Sequence, residues 1–512
     1  MKQKGITTIC LTIILMASIF VVAVEPTEAA EDGPIEIYDW HDLDNVRNNL
    51  SANYVLMNDL DENTDGYNES VDTEKGWEPL GYSHDGFSGT FDGQGNEIRG
   101  LYINRKGENE IGEFEDGLFR RSDGLIKNIG LVDVNVTGDK KVGGLVGYTR
   151  GCTISNSYVT GTVSGTRHIG GLVGWNVNSN ITKSYAKVDV DGHYHIGGLI
   201  GESYDGSSVN DSFATGNVNG EQNVGGLIGL NECPVSNSYA TGNVKGTDWF
   251  TGGLVGFNND RNGEILNSYA TGDVNGYKRV GGLTGGLSYS MVTNSYSVGE
   301  VSGDGFVSGL TGFAHDSTVS NSFWDIETSG VNNDEYGTGK TSEEMKDVTT
   351  FTDMSTEGLD EPWDFVGNPN DDENDEEMWD LDEDINDGYP YLIELLDEPN
   401  KYQLTINTKG EGTVEVDGQE VENGWTKEYV EDTELTIEAV TEDGWEFDKW
   451  TGIDTTGEEI TITMDEDMDI TAVFEEEVDE DEEDVGIPGF TLLLVLTAAM
   501  IAVGIYKKVR SD

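Results

Sequence analysis

The middle of the chain alternates short apolar stretches with paired glycines at a nearly fixed interval. The phrase Gly-Gly-Leu-x-Gly, or a near copy of it, recurs every 27 to 29 residues. The leucines of its seven copies are Leu145, Leu172, Leu199, Leu227, Leu254, Leu283 and Leu310. Between these phrases apolar and polar residues alternate at period two, as in residues 153–158, which predicts short β-strands that bury one face.

A second phrase, a serine followed by an aromatic residue, keeps the same period. Its copies are Ser157-Tyr158, Ser184-Tyr185, Ser212-Phe213, Ser238-Tyr239, Ser268-Tyr269, Ser295-Tyr296 and Ser322-Phe323. A unit of about 27 residues cannot bury a core of its own, whereas stacked copies can. Turns stacked about 4.8 Å apart set each leucine over the next leucine and each aromatic over the next aromatic. The repeats therefore predict a β-solenoid.

The repeat phrases resemble the GLUG motif, which is named for its Gly-Leu-x-Gly core. Residues 87–101 look like the first turns of such arrays, and residues 323–325 and 388–392 look like their usual end. The resemblance covers about residues 35–395 and implies an all-β fold with a right-handed parallel β-helix. The motif occurs in large secreted and surface proteins, among them adhesins and some peptidases. It implies no catalytic residue.

Residues 325–398 are acidic and lack a clear period, which predicts a C-terminal cap region after the repeats. Within it, Asp380, Asp382, Asp384 and Asn386 alternate along the chain, as the oxygen ligands of a calcium loop do. The closing glutamate of an EF-hand loop is missing. A solvated acidic loop over the open end of the solenoid is the favoured alternative. We expect no cofactor, and Ca²⁺ at these four residues is the one exception that the sequence suggests.

Residues 400–475 change to a regular strand pattern and predict a small separate β domain. Its alternating apolar residues are Leu404, Ile406, Val414, Val416, Leu435, Ile437, Ala439, Ile460, Ile462, Ile470, Ala472 and Phe474. Phrases such as residues 469–474 resemble the divergent internalin B-repeat domain, a spacer or interaction module of cell surfaces. Trp445, Phe447 and Trp450 are expected in its core rather than on a ligand-binding face.

Both ends of the chain are apolar. Residues 1–30 have the order of a secretory signal peptide, namely lysines, an apolar run and small residues. An uncleaved anchor helix is the alternative. Residues 487–512 are long enough to cross a bilayer and end in basic residues, which predicts a cytoplasmic tip and an external chain before it.

The C-terminal segment opens with Pro488, Gly489 and Phe490. This order of Pro-Gly-Phe, apolar helix and basic tip resembles the PGF-CTERM sorting signal of archaeal surface proteins. The resemblance implies an archaeosortase-like sorting peptidase as a partner, which removes the helix as the chain is transferred to a lipid. Nine acids among the ten residues before the segment, 475–484, predict an extended stalk over residues 476–486.

The charge of the chain narrows its partners. Asp and Glu number 98 against 29 Lys and Arg, so the net charge is -69. Such a charge repels nucleic acid, and neither DNA nor RNA is expected as a partner. Concentrated salt screens the self-repulsion within a few ångströms, so the composition predicts a protein of a halophile, and an archaeal cell is what the PGF-CTERM resemblance implies.

Few residues of the repeats point to chemistry. Their acids lie at different positions of the repeat, so no carboxylate pair for sugar cleavage stands out and no catalytic residue is predicted. His168 and His195 occupy equivalent positions one turn apart, with His193 nearby, and this trio suggests a transition-metal site. A solvated row of polar side chains is the favoured alternative.

Aromatic residues just after the glycine phrase suggest a groove that binds sugars. They are Tyr148, Trp175, Phe257 and Phe313, with Trp249 nearby. Packing of these side chains in the core is the favoured alternative.

Two cysteines remain after removal of a signal peptide. Cys152 and Cys233 occupy nearly equivalent positions three turns apart, which is about 14 Å and beyond the reach of a disulfide. We expect unpaired thiols. Asn-x-Ser/Thr sequons predict an external glycoprotein, with acceptors at Asn49, Asn68, Asn135, Asn180 and Asn210.

These features predict a non-catalytic cell-surface protein that is secreted, anchored to the outer face of the membrane, and in contact with cell-envelope or extracellular glycans or proteins. The predicted order is a signal peptide (1–30), an N-terminal cap with the first turns (31–116) and the repeat β-helix (117–324), followed by the cap region, β domain, stalk and anchor. A surface β-helix enzyme that degrades polysaccharides and a purely structural spacer are the alternatives.

Overall fold

A computed structural model of the chain describes residues 33–476, apart from gaps inside that range. The gaps are residues 82–83, 108–114, 260–262, 333–335, 367–377, 384, 396–400, 431–432, 443, 454 and 465–466. The chain divides into two compact units, Met1–Pro399 and Asn400–Asp512, which are described separately. The segments assigned by sequence to a signal peptide and to a sorting signal lie outside the described residues, as does nearly all of the stalk.

The first unit is a coil of parallel strands in which a turn of the repeat region has four strands. One turn consists of Lys140–Gly143, Val146–Arg150, Thr153–Ser155 and Tyr158–Ser164. Each strand pairs in parallel with its equivalent in the next turn, so that Ile154 lies beside Ile181 and Tyr158 beside Tyr185. The predicted β-solenoid is confirmed, and its right-handed winding stays a prediction.

Four sheets run along the coil and are numbered in the order in which a turn visits them. Sheet 1 contains Lys140–Gly143, Arg167–Gly170, Tyr194–Gly197, Gln222–Gly225, Trp249–Gly252, Lys278–Gly281 and Val307–Ser308. Sheet 2 contains Phe119–Ser122, Val146–Arg150, Val173–Val177, Ile200–Tyr204, Ile228–Asn231, Val255–Asn259, Thr284–Ser288 and Ala314–His315.

Sheets 3 and 4 complete each turn. Sheet 3 contains Ile35–Ile37, Tyr54–Leu56, Thr90–Asp92, Leu125–Lys127, Thr153–Ser155, Asn180–Thr182, Ser208–Asn210, Val235–Ser236, Glu264–Leu266, Met291–Thr293 and Thr318–Ser320. The parallel strands of sheet 4 are Glu97–Arg99, Tyr102–Asn104, Gly130–Thr137, Tyr158–Ser164, Tyr185–Asp191, Phe213–Ala214, Val218–Gly220, Tyr239–Ala240, Val244–Gly246, Tyr269–Ala270, Val274–Gly276, Tyr296–Ser297, Val301–Gly303, Phe323–Asp325 and Thr338–Lys340.

The N-terminal end of the coil is closed by short helices and a hairpin. These elements are the helices Trp40–Asn45, Val46–Asn48 and Tyr67–Ser70 and the antiparallel strands Val71–Asp72 and Gly76–Trp77. Trp40 and Trp77 are fully buried and join the interior core, with ring centroids 5.5 Å apart. Large aromatic side chains thus cover the apolar interior that the first turn would otherwise expose to water.

The interior of the coil is a continuous apolar core. The seven repeat leucines are fully buried in it, one per turn, together with the isoleucines and valines of the strands. Each turn therefore buries its apolar side chains only because a neighbouring turn covers them.

The aromatic residues of the Ser-aromatic phrase form a separate stack along sheet 4. From Tyr158 to Tyr296, successive rings have centroids 4.7 to 5.1 Å apart and planes within 8° of parallel. These rings belong to a second cluster that also includes apolar side chains from the acidic region, among them Trp363 and Trp379. The predicted stacking of aromatic over aromatic is confirmed, and the stack lies apart from the interior core.

The acidic region after the repeats packs against this aromatic stack. Its elements are the helices Ile326–Ser329, Ser342–Met345, Thr349–Thr352, Asn386–Gly388 and Ile393–Leu395 and the paired strands Trp379–Asp380 and Tyr391–Leu392. The Tyr296 hydroxyl donates to the carbonyl of Pro390, and the Trp379 ring lies 6.0 Å from that of Tyr269. The described part of the region is therefore a packed cap rather than a solvated loop.

The second unit has two four-stranded sheets. One contains Trp425–Val430, Lys401–Lys409, Met468–Glu476 and Trp445–Thr451, and the other Gln419–Val421, Gly412–Val416, Glu434–Thr441 and Glu459–Thr463. All twelve apolar residues that alternate in the sequence lie in its core, Trp450 is buried with them, and Trp445 and Phe447 pack against them. The predicted small β domain is confirmed.

Two further expectations concern the cysteines and the helices of the described residues. Cys152 and Cys233 are both buried and form no disulfide within the described part of the chain, as the spacing of turns predicted. No helix among residues 33–476, leaving aside the gaps, is long and apolar enough to cross a bilayer.

Candidate functional site

Sheets 1 and 2 meet at a corner of the coil. Near this corner, one residue of each sheet 1 strand has its side chain directed away from the interior core. At this position φ is positive, 51° for Lys141, 56° for His168 and 59° for His195, which interrupts the alternation of the strand. The next residue, for example Val142, belongs to the interior core. We call these residues the first corner row, which consists of Lys141, His168, His195, Asn223, Phe250 and Arg279.

Sheet 2 contributes a matching row on the other side of the corner. Its strands pair at a constant offset of 27 residues on both sides of Gly147. Val146 and Thr149 are both fully buried while Tyr148 between them is half-buried, so the alternation of inward and outward side chains changes at this glycine. The Thr149 hydroxyl donates inside the coil to Asn176 at 2.7 Å. The second corner row consists of Arg121, Tyr148, Trp175, Glu202, Leu230, Phe257 and Gly286, and Phe313 continues it at the offset that pairs Leu287 with Ala314.

Side chains of the two rows meet at a sequence separation of seven residues. The Phe250 and Phe257 rings stack with centroids 4.2 Å apart, and the His168 and Trp175 rings stack at 5.2 Å with planes 13° apart. Lys141 Nζ lies 4.7 Å from the centroid of the Tyr148 ring. At these three turns the corner thus carries a strip of paired side chains outside the core.

The position of the aromatic residues corrects one expectation from the sequence. Tyr148, Trp175, Phe257 and Phe313 were expected to pack in the core, but they are half-buried on the corner and belong to no described core cluster. The reason is the change of side-chain alternation at the glycine of each sheet 2 strand, which directs the following residue away from the core. Trp249 lies next to this strip, with Arg279 4.6 Å from its ring centroid.

Three polar side chains of the corner rows converge on one point. Nδ1 of His168 and Nδ1 of His195 each lie 2.7 Å from Oε2 of Glu202. His168 and Glu202 are each only 8% exposed. Despite the short distances, none of the three atoms makes a hydrogen bond of acceptable geometry with any described residue.

The electrostatics of this cluster are set by burial and by the two imidazoles. Burial tends to raise the pKa of the Glu202 carboxyl, but the imidazoles of His168 and His195, each with Nδ1 2.7 Å from Oε2, outweigh it and lower that pKa to about 2. Burial lowers the pKa of His168 below its ordinary value, although Glu202 acts in the opposite direction. A carboxylate beside a readily deprotonated imidazole is the protonation state that metal binding requires.

The sequence pointed to two of these three residues. His168 and His195 are neighbours as expected, with ring centroids 4.9 Å apart. His193 is not part of the cluster, because it is exposed and its Nδ1 pairs with Glu221 at 2.8 Å. Glu202 was missed among the scattered acids of the repeats. Its signal is the separation of seven residues from His195 across the glycine corner, which the aromatic pairs share.

The four candidate calcium ligands are not shown as one set. Asp380 accepts a hydrogen bond from the hydroxyl of Tyr391 at 2.8 Å, and the Asn386 side-chain amide donates to the hydroxyl of Tyr296 at 2.7 Å. Asp382 is described, whereas Asp384 lies outside the described residues. Asp380 and Asn386 thus have structural contacts in the cap, and the calcium site stays a prediction.

The predicted glycosylation acceptors are accessible to different degrees. Asn49, Asn68, Asn135 and Asn180 are exposed. Asn210 is half-buried, and its side-chain oxygen accepts from the Ser236 hydroxyl at 2.6 Å. Exposure makes the first four the better acceptors, and glycosylation stays a prediction.

Comparison with known families identifies two parts of the chain. The GLUG motif matches residues 140–164, 165–191, 192–219, 220–245 and 251–275. The divergent InlB B-repeat domain matches residues 402–478. Both resemblances are confirmed, and together with the coil of parallel strands they define a β-helix repeat protein built from GLUG motifs.

Individual relatives match only part of the chain. Halomucin of Haloquadratum walsbyi is 36% identical over 148 residues, which is 27% of this chain and 2% of that protein. A protein of Evansella cellulosilytica described as "Putative Gly-rich membrane protein" is 34% identical over 110 residues, 22% of this chain and 12% of that protein. This chain therefore aligns with only a small part of either relative.

One solved structure aligns with this chain, with low sequence identity and a low structural similarity score. It is described as a "putative immunoglobulin A1 protease" from Bacteroides ovatus, with 19% identity and a TM-score of 0.39 over 71% of this chain and 93% of that one. A similarity of this size has no bearing on function.

Proposed function

We propose that this protein is a non-catalytic cell-surface protein whose β-helix binds cell-envelope or extracellular polymers, in adhesion or in envelope structure. The observation that carries the proposal is the outward strip of half-buried aromatic side chains on the corner, which includes Tyr148, Trp175 and Phe257. Aromatic faces on adjacent turns, as at Tyr148 and Trp175, suit a polymer with repeated apolar surfaces, such as an extended glycan. The charged side chains beside them suit its polar groups.

The charges along the strip differ from the charge of the whole chain. Although the net charge is -69, Lys141 and Arg279 lie against corner aromatics, and Arg279 is 4.0 Å from the Phe313 ring centroid. Lys141 is already paired with Glu115 at 2.7 Å, whereas a guanidinium held against aromatic rings, as in Arg279, can contact hydroxyl, carboxylate or sulfate groups of a polymer. A neutral or acidic glycan is therefore the polymer class that the strip fits best.

A location outside the cell is part of the proposal. The apolar N-terminal and C-terminal segments suit secretion and anchoring to the outer face of the membrane. The names of the relatives, Halomucin and a Gly-rich membrane protein, agree with this location. An archaeosortase-like peptidase would act on Pro488, Gly489 and Phe490, and the acidic stalk would hold the domain of residues 402–478 clear of the membrane as a spacer.

The absence of catalysis is also a proposal, and it is supported by the state of the corner carboxylates. Glu202 is buried against two imidazoles, and Glu115 pairs with Lys141 at 2.7 Å. General acid and base work on a glycosidic bond needs two carboxyl groups that can reach the substrate. Carboxylates already held by cationic or imidazole groups are poorly placed for that work.

The test is a glycan and cell-envelope binding array with the full-length chain in non-ionic detergent and multimolar salt. Retention of the protein and release of cleaved sugars are both measured. Trp175→Ala removes an aromatic face from the strip and is expected to weaken retention about 5- to 150-fold, on the scale of the 1–3 kcal/mol that a nucleic-acid base gains by stacking on an aromatic side chain. Tyr289→Ala removes a ring that is 43% exposed outside the two corner rows and serves as the matched control.

Retention that is lost in Trp175→Ala and kept in the control supports the proposal. Release of oligosaccharides would instead establish the alternative of a polysaccharide-degrading enzyme. Absence of retention on every surface would leave the structural spacer as the function.

A further inference from the structure

We propose that His168, His195 and Glu202 form a binding site for a divalent transition-metal ion, with Zn²⁺ as the representative ion. Their donor atoms, two imidazole nitrogens and one carboxylate oxygen, lie within 4.8 Å of one another. The site is separate from polymer binding by the aromatic strip, and either function can exist without the other.

The donor set selects the class of metal. Imidazole nitrogen with carboxylate oxygen suits Zn²⁺ and related first-row ions, whereas Ca²⁺ and Mg²⁺ require mainly oxygen donors. Three protein donors leave one position of a tetrahedral ion open. A water molecule or an oxygen of an external ligand would complete the coordination.

The unsatisfied state of the donor atoms is the second argument. Nδ1 of His168, Nδ1 of His195 and Oε2 of Glu202 are buried and lack acceptable hydrogen-bond geometry among the described residues. Burial of polar atoms without partners is costly, so such atoms are rare in folded proteins. A single cation between them would satisfy all three at once.

The spacing of the atoms fits this role after a small adjustment. Each imidazole nitrogen lies 2.7 Å from the carboxylate oxygen, whereas donors on a tetrahedral Zn²⁺ with bonds of 2.0–2.1 Å lie about 3.3 Å apart. The donor atoms as a set lie within 4.8 Å of one another, so the two imidazole nitrogens would also approach each other, by up to about 1.5 Å, to reach that spacing. Rotation about the side-chain bonds of Glu202 and of the two histidines would supply these shifts.

The backbone holds both imidazoles in place. His168 and His195 share a positive φ at equivalent positions of adjacent strands, which brings their rings to the same side of the corner. A Cβ on Gly201 would lie 2.4 Å from the backbone N of Ile169 and 2.5 Å from the backbone C of His168. Glycine is therefore required where the strand Ile200–Tyr204 packs against the strand Arg167–Gly170. The Trp175 ring stacked on His168 limits the rotation of that imidazole. Rigid donors of this kind favour binding of one ion in one geometry.

The chain contains a matched control. His193 and Glu221 also form a pair, with 2.8 Å between Nδ1 and Oε1, but their side chains are 52% and 42% exposed and only one imidazole takes part. His193→Gln therefore removes an imidazole next to a carboxylate without touching the proposed site. It reports on loose binding of Zn²⁺ to the acidic surface.

The experiment titrates Zn²⁺ into the metal-stripped full-length chain by isothermal calorimetry, in a molar nitrate salt with excess Mg²⁺ to occupy exposed carboxylates. We expect one tight equivalent for the wild type and for His193→Gln. His195→Gln and Glu202→Gln should each weaken it at least about tenfold, because loss of even a supporting group costs that much. Circular dichroism confirms that each variant is folded.

A second measurement does not depend on the variants. Co²⁺ added to the wild type should give the intense visible absorption of a tetrahedral ion, and Zn²⁺ should displace it at one equivalent. Weak absorption typical of octahedral Co²⁺, or Zn²⁺ binding that His193→Gln reduces as much as Glu202→Gln does, would overturn the proposal. Either result would make the cluster an ion pair that stabilises the corner.

The metal measurements do not decide whether the aromatic strip binds a polymer. The binding array with Trp175→Ala measures that property separately.

Discussion

Ser184 Oγ accepts a hydrogen bond at 3.2 Å from the backbone N–H of Ser157, a residue 27 positions earlier in the chain. The same hydroxyl donates to the carbonyl of Thr182 at 2.8 Å, so one serine links two turns. Ser157, Ser184 and the equivalent serines are buried. The serine row therefore satisfies a backbone donor at each step of the coil, where no water is available to do so.

Removal of one such hydroxyl should destabilise the coil. Ser184→Ala leaves the N–H of Ser157 buried without this acceptor, and we expect a loss of about 1–3 kcal/mol in the free energy of unfolding. Urea unfolding followed by circular dichroism measures the change. Ser208→Ala is the control, because the hydroxyl of Ser208 donates to Asn180 in an exposed contact, and it should cost less than about 0.5 kcal/mol. Equal losses would show that the buried N–H finds another acceptor.

The aromatic stack should contribute more per residue than the serine row. Phe213 lies between Tyr185 and Tyr239 with ring centroids 4.7 Å away on both sides, and it is 5% exposed. Phe213→Ala removes both contacts and leaves a cavity, so we expect a loss of about 3–5 kcal/mol, measured by urea unfolding. Phe306→Ala, at a residue that is 72% exposed, should be nearly neutral. A loss below about 1 kcal/mol for Phe213→Ala would mean that the stack adds little to stability.

Asp116 should make stability depend on pH in the direction opposite to a paired carboxylate. Burial raises its pKa from 3.8 to about 6, against the lowering effect of Arg120 and Arg105. The folded chain thus keeps a proton that the unfolded chain loses near pH 4, so the contribution of Asp116 to stability falls as pH rises from about 4 to about 6. The difference corresponds to about 3 kcal/mol.

Asp116→Asn removes this titration at nearly constant volume. The variant should be more stable than the wild type at pH 7, by up to about 3 kcal/mol, and the gain should vanish near pH 4. Urea unfolding of both proteins across this range measures the difference. Asp133→Asn, at an exposed position, should follow the wild type at every pH. A constant difference for Asp116→Asn would exclude the assigned titration.

Cys152 should be inert in the folded protein. Burial raises the pKa of its thiol to about 12, although a hydrogen bond with Ser122 acts in the opposite direction. At pH 8 this lowers the thiolate population about a thousandfold relative to an ordinary cysteine. Iodoacetamide labelling, read from the Cys152 peptide by mass spectrometry, should be negligible in the native protein and complete in urea. Rapid native labelling would show that this part of the coil opens.

The sequence was most informative where a contact depends only on the repeat period. Any residue that recurs every 26 to 30 positions must lie beside its own copies once the turns stack, so the leucine, serine and aromatic rows follow without knowledge of the turn. In the second unit, the period of two identified the core, from Leu404 to Phe474, because strand geometry fixes which residues share a face. Both results rest on local periodicity alone.

The tertiary structure decided what the period leaves open, which is the direction of each side chain and its neighbours within one turn. The alternation of inward and outward side chains changes at residues with positive φ such as His168 and at corner glycines such as Gly147. That change places Trp175 outside the core. The corner then joins residues seven positions apart and sets Glu202 against two histidines. The sequence determined the rows of the coil because stacking is periodic, whereas the candidate site depends on how one corner folds, and no period encodes that geometry.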